Sequence, residues 1–294
     1  MNILIISDKK RGHLNQSIAF SKLLNAKYDI REVEYKSKLF KLFSYIFDWL
    51  NVYTSFLYKN FFEVNKKYDL VVSAGSTTYY ASKIASKKYG IKNIALMYPK
   101  GYKLNFYKIF AQSHDNFKIK NNITLLPVNF TYSEPINLIE CKKCVALVIG
   151  GDNKVFKMDI KDIKKVVDFI FKNFKDYKKY VTTSPRTKKE IEEYIDSLDF
   201  DYKVIYSKNK INPIGDFLKC CEYIFVTIDS TSMISEAVSF GKSSVEIIPL
   251  RGKLSKYHKM VDNLEKEGFL HIFNGTIKKC NKKIDLKKYL KGVF

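Results

Sequence analysis

Five hydroxyl side chains and two carboxylates lie within the eleven residues 227–237. The apolar run 223–227 leads into them and is typical of a buried strand, and Asp229 or Ser230 can cap a helix that begins directly afterwards. Backbone N–H groups at a helix start favour anions, and phosphate is the usual guest. The pattern predicts a polar ligand site at the carboxyl end of a parallel strand, with an ordinary capped helix as the alternative.

Two other strand ends in the second half carry groups that suit a phosphate. One apolar run ends in Gly150-Gly151, and the next ends in Thr183-Ser184 followed by Arg186. Adjacent parallel strands would bring these turns beside residues 229–236. Backbone N–H groups, hydroxyls and one guanidinium together are what a nucleotide monophosphate or diphosphate needs. Each turn alone is ordinary, and it is the set that favours a nucleotide.

In the first half, a glycine and a histidine stand at Gly12-His13, where the first strand meets a helical stretch. This position places an imidazole at the carboxyl edge of the sheet, and an imidazole can transfer a proton or form a hydrogen bond to phosphate. The segment does not match G-x-G-x-x-G, so a dinucleotide fingerprint is absent. A loop histidine without a role is the alternative.

Two weaker signals in the first half are predicted to lie at the same carboxyl edge of the sheet. Small side chains at 73–78 follow the third strand, and Gly75 and Ser76 there permit close approach of a ligand to the backbone. His114 follows a later strand of the same half. We expect both segments to face one cleft.

Strand-like apolar runs alternate with amphipathic helical stretches along the chain, as in βαβ units with parallel sheets. The predicted strands are 2–7, 28–35, 68–73, 92–97, 107–112, 123–127, 144–149, 179–183, 202–206, 223–227 and 243–248. We therefore predict an α/β protein with two tandem Rossmann-like domains that face each other across a cleft.

Domain boundaries follow from the breaks in this alternation. The polar stretch 129–143 is the predicted linker. It divides an N-terminal domain, 1–135, from a second domain, 136–275. A C-terminal segment, 276–294, is predicted as a helix that returns toward the first domain, with a short amphipathic pattern at 284–291.

Residues 36–67 form an insertion of a different kind, with apolar side chains at helical spacing and six lysines against only Asp48 and Glu63. The apolar series is Leu39, Leu42, Phe43, Ile46, Trp49, Leu50, Tyr53, Phe56 and Leu57, with Phe40, Phe47 and Tyr58 on another side. Such a helix can lie in a membrane interface or hold a lipid-linked acceptor. One or two core helices between strands are the alternative.

The net charge and the composition limit which partners and which cellular compartment we expect. The 294 residues carry 52 Lys plus Arg against 30 Asp plus Glu, which favours phosphorylated ligands or an anionic membrane surface. No recognised nucleic-acid module is present, so no nucleic-acid partner is expected. No uncharged apolar run reaches the roughly 18 residues of a spanning helix, and the N-terminus resembles a first strand rather than a signal peptide. We expect a cytoplasmic protein, peripheral on the inner face of a membrane if 36–67 meets lipid.

The cysteines suggest packing rather than chemistry. Their number is five, and odd numbers do not build the disulfide framework of a small secreted fold. Cys141 and Cys144 have C-x-x-C spacing, but no second pair of that kind completes a zinc site, and Cys220-Cys221 lies far off in sequence. We expect packing cysteines and no metal site.

These motifs, in this order, resemble the mitochondrial-fission ELM-like family, whose bacterial members are similar to GT-B glycosyltransferases. The matching segments are Ser7-Asp8, residues 12–17, Ile149-Gly150-Gly151, Thr182-Thr183-Ser184 with Arg186-Thr187, and residues 229–237 with Gly241-Lys242. The resemblance covers almost the whole chain. It implies a Rossmann-like acceptor half, a Rossmann-like donor half and a C-terminal helix that crosses back to the first.

The resemblance also implies roles for residues. A nucleotide-sugar donor would bind the second half, with Glu236 on the ribose, 230–235 on the phosphate, and Arg186 on the leaving phosphate in place of a metal. The implied donor contacts are Gly150, Gly151, Thr183, Ser184, Asp229, Ser230, Ser232, Met233, Ser235 and Glu236. His13 or Asp8 would deprotonate the acceptor hydroxyl. The implied acceptor side is Gly12, Gln16, Gly75, Ser76 and His114.

Two segments depart from the family pattern. Lys9-Lys10-Arg11 precede Gly12 where the family has Gly-Lys-Pro, so this turn is more basic. Residues 128–131 stand where the family has a threonine-rich segment.

The predicted function is transfer of a sugar from a nucleotide-activated donor to a glycan or lipid-linked acceptor, in cell-surface polysaccharide or lipopolysaccharide synthesis, without a cofactor. One alternative is a noncatalytic, membrane-associated protein with the same fold. Another is a nucleotide-sugar epimerase, which would ordinarily need acid/base pairs. The donor nucleotide stays open, with CMP- and UDP-linked sugars as candidates.

Overall fold

The alternation of strands and helices folds into two α/β units in the computed structural model, which describes residues 1–113 and 120–293. One unit comprises Met1–Tyr132 with Leu286–Phe294, and the other comprises Ser133–Asp285. Each unit has its own six-stranded, parallel sheet in the described residues. The predicted α/β class with two parallel sheets is confirmed.

The described residues of the first unit interleave six strands with three α-helices. In chain order they are β1 (Asn2–Ser7), α1 (Arg11–Leu23), β2 (Lys27–Glu32), α2 (Lys38–Trp49), β3 (Leu70–Ala74), α3 (Tyr79–Tyr89), β4 (Lys92–Leu96), β5 (Lys108–Gln112) and β6 (Ile123–Leu126). The strand order across the sheet is β2-β1-β3-β4-β5-β6. Strands β1 and β3 are buried almost throughout, because a parallel sheet has both faces covered.

The second unit has the same design. Its elements are β7 (Cys144–Val148), β8 (Phe156–Lys157), α4 (Ile160–Asn173), β9 (Lys178–Thr182), α5 (Lys189–Asp196), β10 (Tyr202–Val204), α6 (Ile214–Cys220), β11 (Tyr223–Thr227), α7 (Thr231–Ser239), β12 (Ser244–Ile248), β13 (Arg251–Gly252), α8 (Lys256–Lys266) and β14 (His271–Ile272). The parallel sheet has the order β10-β9-β7-β11-β12-β14, and β8 pairs with β13 in antiparallel fashion.

All eleven predicted strands are present, with ends that differ from the prediction by up to three residues. Three strands were not predicted, namely β8, β13 and β14. Each has only two residues. A two-residue strand is too short to show the alternation or the apolar run by which strands are recognised.

Two predicted segments differ from the observed chain path. From Ser133 onward the predicted linker 129–143 packs on the second unit, where the amides of Ile136, Asn137 and Leu138 donate to the Asp216 carboxylate at 3.1, 2.7 and 3.3 Å. The C-terminal segment is not helical over 276–285, and its helix is a 3-10 turn at Leu286–Leu290. Its buried leucines hold it in place, since five residues are too few for a stable free helix.

The expectation that all five cysteines only pack is wrong. Cys141 and Cys220 form a disulfide, and the buried Cys144 and Cys221 sulfurs lie 2.9 Å apart. The cause is topological. Strand β7 begins at Cys144 and its neighbour β11 begins just after Cys221, so the sheet joins pairs that are 79 and 77 residues apart in sequence.

The insertion 36–67 contains one α-helix, α2, and a 3-10 turn at Ser55–Leu57. Phe40, Phe43 and Phe47 pack against the core of the first unit. Other apolar side chains of α2 point to solvent. No helix among the described residues is long and apolar enough to cross a membrane.

Candidate active site

The second sheet brings the three predicted turns of the donor half together. Strand β7 lies between β9 and β11, with Val148 level with Thr182 on one side and Val226 on the other. Because parallel strands end at the same edge of a sheet, the turns that follow them start side by side.

Asp229 is the centre of this cluster. Its buried carboxylate accepts hydrogen bonds from the Thr227 hydroxyl at 2.6 Å and the Gly151 amide at 3.0 Å, and it pairs with the Arg186 guanidinium at 2.7 Å. Asn153 donates to the Asp229 carbonyl at 2.9 Å. Burial raises the pKa of Asp229, while these hydrogen bonds and the Arg186 charge act against it. One carboxylate therefore ties three turns into a fixed arrangement.

The glycine pair fits closely against these partners. A β-carbon at Gly150 would overlap the Asp229 carboxylate, and one at Gly151 would overlap the carbonyl oxygen of Arg186. The Gly150 amide donates to the Thr227 hydroxyl at 2.8 Å, and the Gly151 amide donates to Asp229. Both amides thus bind protein oxygens, where the sequence predicted that they would face a phosphate.

The hydroxyls after β9 also form internal bonds. The buried Thr183 hydroxyl donates to Glu192 at 2.7 Å and accepts from the Tyr206 amide at 2.8 Å. The Ser184 amide donates to the Thr187 hydroxyl at 2.8 Å, which closes a tight turn. Arg186 differs from its neighbours, because its side chain is 39% exposed and keeps an open edge beyond Asp229.

Helix α7 presents its first turn at the same sheet edge. Ser230 caps it by accepting from the Met233 amide, Ser232 is exposed and Met233 is partly exposed. An open first turn of this kind is a favourable place for an anion. Ser235 does not fit the predicted donor contact, because it is fully buried and donates to the Thr231 carbonyl at 2.6 Å.

Glu236 is partly buried on α7 and accepts a hydrogen bond from the Ser133 hydroxyl at 2.7 Å. Burial raises the pKa of Glu236 to about 7, against a lowering effect of the Ser133 bond. Near neutral pH its side chain is therefore present in both protonation states. Sequence reasoning missed Ser133, which lies 103 residues away in the predicted linker and bears no local signal.

In the first unit, the predicted Gly12-His13 loop is the first turn of α1, which begins at Arg11. His13 Nδ1 lies 3.0 Å from Asp8 Oδ1, and Lys10 Nζ lies 3.3 Å from Asp8 Oδ2. Burial acts to raise the pKa of Asp8, but His13 and Lys10 outweigh it and hold that pKa below its usual range. An ionised Asp8 favours a proton on Nδ1 of His13 and leaves Nε2 as an acceptor.

Gly75 lies against this pair. Its φ of +91° is in the region that favours glycine, and a β-carbon there would overlap the His13 ring. Glycine at this position therefore allows both the turn after β3 and the close approach of the imidazole.

Lys41 joins the same edge from α2, and sequence reasoning did not select it. Its Nζ donates to the Ser76 hydroxyl at 2.8 Å. Burial lowers the pKa of Lys41, as does the charge of Lys10, while Asp8 raises it. The available signal was a single cation that interrupts the apolar run between Phe40 and Leu42.

The other predicted acceptor residues have different outcomes. Gln16 is buried, and its amide reaches the Gly12 carbonyl at 3.3 Å and the Met97 sulfur at 3.7 Å. His114 lies outside the described residues. In residues 1–113 and 120–293, no group of three or more His, Cys, Asp or Glu side chains is arranged to hold a metal ion.

Several solved structures share this fold over most of their length. The calicheamicin glycosyltransferase CalG4 matches with a TM-score of 0.51 and 10% identity, covering 92% of this chain and 84% of that one. The glycosyltransferase of kitacinnamycin matches with a TM-score of 0.50 and 10% identity, covering 95% and 87%. A Listeria monocytogenes protein proposed to be a UDP-N-acetylglucosamine 2-epimerase matches with a TM-score of 0.52 and 12% identity, covering 98% and 85%. The fold is that of the GT-B glycosyltransferases and the related epimerases.

The family follows from the sequence. Residues 11–288 match the model of the mitochondrial fission ELM1 family, and the chain belongs to that family. An uncharacterized protein of Rickettsia prowazekii (strain Madrid E), RP120, is 25% identical over 94% of this chain and 92% of its own length.

Proposed function

We propose that the protein is a glycosyltransferase that moves a sugar from a nucleotide-activated donor to a hydroxyl of a glycan or lipid-linked acceptor. The observation that carries the proposal is the cluster around α7. It combines an open helix start, the partly exposed Arg186 and the Ser133-bound Glu236 at one sheet edge. The GT-B fold and the family support the same class of reaction.

The donor half is assigned to the second unit. The first turn of α7 and the open edge of Arg186 stabilise the negative charge that develops on the departing nucleotide phosphate. Glu236 binds a ribose hydroxyl, for which its ionised form is the better acceptor. Asp229 contacts Arg186 rather than the donor, so we assign it the task of orienting the guanidinium.

The acceptor half is assigned to the first unit. Nε2 of His13 takes the proton of the acceptor hydroxyl as that oxygen attacks the anomeric carbon. Asp8 holds the ring and stabilises the imidazolium that forms. Gly75 lies against the imidazole and Ser76 follows it in the same turn, so we assign this turn to the acceptor. No metal or other cofactor enters this proposal, because helix N–H groups and basic side chains can supply the needed charge.

We place the reaction in cell-surface polysaccharide or lipopolysaccharide synthesis, in the cytoplasm and peripheral on the inner face of the membrane. The basic excess of the chain supports an anionic surface as a partner. The donor nucleotide, with CMP- and UDP-linked sugars as candidates, is left to experiment.

Nucleotide binding is the most direct test. We expect a nucleotide or nucleotide sugar to raise the melting temperature of the whole protein by mass action, and Glu236→Ala to lose that shift. His13→Ala should keep the shift and lower turnover. Full activity in both variants would remove these assignments.

A noncatalytic, membrane-associated protein is the second candidate, because α2 exposes apolar side chains. It predicts no melting-temperature change with any nucleotide or nucleotide sugar, whatever the membrane affinity.

A further inference from the structure

Helix α2 has an inverted distribution of polar and apolar side chains. Ser44 and Asp48 are fully buried, whereas Leu39 and Leu42 are each 55% exposed. Helix α4 has the ordinary arrangement, with a buried apolar stripe of Ile163, Val166, Val167 and Ile170. Burial in the protein core accounts for Phe40, Phe43 and Phe47 of α2 but not for Leu39 and Leu42.

The outward face of α2 consists of Leu39, Leu42, Ile46 and Trp49. These positions are three or four residues apart, so they form one continuous stripe along the helix. Ile46 is 46% exposed and Trp49 is 70% exposed. A contiguous apolar stripe of this kind marks an interaction surface.

The inner side of α2 fixes the orientation of that face. Asp48 pairs with Lys83 Nζ at 2.6 Å and accepts from the Lys103 amide at 2.7 Å. The Ser44 hydroxyl lies 2.9 Å from that of Tyr102. Rotating the helix to bury the outward face would break these buried polar contacts, so the face stays outward.

The charges next to the outward face select its partner. Lys36 and Lys38 are exposed at the start of the helix, whereas Lys59, exposed after it, pairs with Glu34 at 2.6 Å. Of the two acids in 36–67, Asp48 is neutralised by Lys83. Apolar side chains with a cationic border match the boundary between acyl chains and anionic headgroups. A second copy of this chain would place lysines against lysines.

We propose that the outward face of α2 docks on an anionic lipid bilayer, with its apolar side chains at the headgroup and acyl boundary and the bordering lysines at lipid phosphates. What this docking implies for the acceptor substrate rests on the proposed function. Lys41, on the same helix, reaches Ser76 beside the Asp8–His13 pair, so α2 links the lipid surface to the acceptor side. This placement favours a lipid-linked acceptor over a soluble glycan.

Trp49 gives a direct measurement, because it is the only tryptophan of the chain. Its fluorescence should shift to shorter wavelength on addition of equimolar phosphatidylcholine–phosphatidylglycerol vesicles, and brominated lipids should quench it. Phosphatidylcholine vesicles alone should give a much smaller change. An unshifted spectrum with the anionic vesicles would overturn the proposal. So would a blue shift that grows with protein concentration without vesicles, because it would assign the face to self-association.

Substitutions within the outward face provide a second readout by co-sedimentation. Leu42→Glu and Ile46→Glu should each weaken vesicle binding by about tenfold or more, because a carboxylate replaces an inserted apolar side chain. The matched control is Leu254→Glu, which makes the same change at a leucine that is 90% exposed in the other unit. Equal binding by all three variants and the wild type would contradict the assignment.

Nucleotide binding by the same variants separates this proposal from the proposed function. Leu42→Glu should keep the wild-type melting temperature and nucleotide-induced shift, which also shows that it folds. Vesicle binding without any nucleotide shift would leave docking intact and reject the transferase. A nucleotide shift without vesicle binding would reject docking alone.

Discussion

Two aspartates that lie near the carboxyl edges of the two sheets serve different purposes. Asp8 contacts His13 and Lys10, and its pKa is held below the usual range. Asp229 is more enclosed, contacts Thr227, Gly151 and Arg186, and has a raised pKa. The first carboxylate is suited to orienting a base and the second to holding turns together. A similar position in two Rossmann-like sheets therefore does not imply a similar role.

The largest expected effect follows removal of Asp229. Asp229→Ala should lower the free energy of unfolding by about 2–4 kcal/mol, because it leaves the buried Gly151 amide and Thr227 hydroxyl without their acceptor and removes the partner of the partly exposed Arg186. Urea denaturation measures the change. A loss below about 1 kcal/mol would show that the three turns do not depend on this carboxylate.

Asp8→Asn should mainly lower turnover and leave stability nearly unchanged, in contrast to Asp229→Ala. We expect turnover to fall by about tenfold to a thousandfold, because the ring of His13 loses the charge that favours its tautomer and its imidazolium. Unfolding free energy should change by less than about 1 kcal/mol. Unchanged turnover with a large loss of stability would make the two aspartates alike and contradict the comparison.

Glu236 should give a smaller effect that depends on pH. Its raised pKa means that the folded chain keeps a proton between about pH 4.5 and about pH 7 that the unfolded chain releases. The stability from this group is complete below about pH 4.5 and is lost as pH rises through about 7. Glu236→Gln should lack this loss, a difference of about 1–2 kcal/mol after allowance for partial exposure.

Denaturation of both proteins at pH 5 and pH 8 measures that difference. Nucleotide binding by the wild type should strengthen over the same range, since ribose prefers the carboxylate as acceptor. If the free energy of unfolding depends on pH in the same way for Glu236→Gln and the wild type, the pKa of Glu236 is not raised.

The smallest expected effect is at Lys41. Lys41→Ala should lower turnover by roughly threefold to tenfold, which corresponds to the net free energy of one ordinary hydrogen bond, with little change in stability. Lys87→Ala is the matched control, because Lys87 is an exposed lysine on α3 of the same unit and is not part of the proposed lipid surface. Equal turnover in both variants would show that Lys41 has no role in binding the acceptor.

Much of the fold could be read from local pattern. The buried strands β1, β7 and β11 have apolar runs that are typical of a covered parallel sheet, so their existence was predictable. The two-residue strands β8, β13 and β14 could not be predicted, because two residues are too few to show a periodic pattern. Disulfide pairing between Cys141 and Cys220 also depended on which strands became neighbours.

The candidate site divides in the same way. Residue types and spacing, together with the family resemblance, selected Asp8, His13, Arg186, Asp229 and Glu236 as the groups able to do chemistry. Whether a hydroxyl or amide faces a ligand could not be read from them, since Thr183 and the Gly150 and Gly151 amides all bind protein atoms. Ser133 and Lys41 entered only through contacts across 103 and 35 residues.

The sequence by itself determined the α/β class, the positions of the major strands and the groups that could do chemistry, because periodicity and turn chemistry act over a few residues. The tertiary structure decided how those groups are used. It assigned Asp229 to holding turns and Asp8 to orienting an imidazole, and it set which side of α2 faces solvent. These outcomes depend on contacts between distant parts of the chain, which exist only once the sheets have formed.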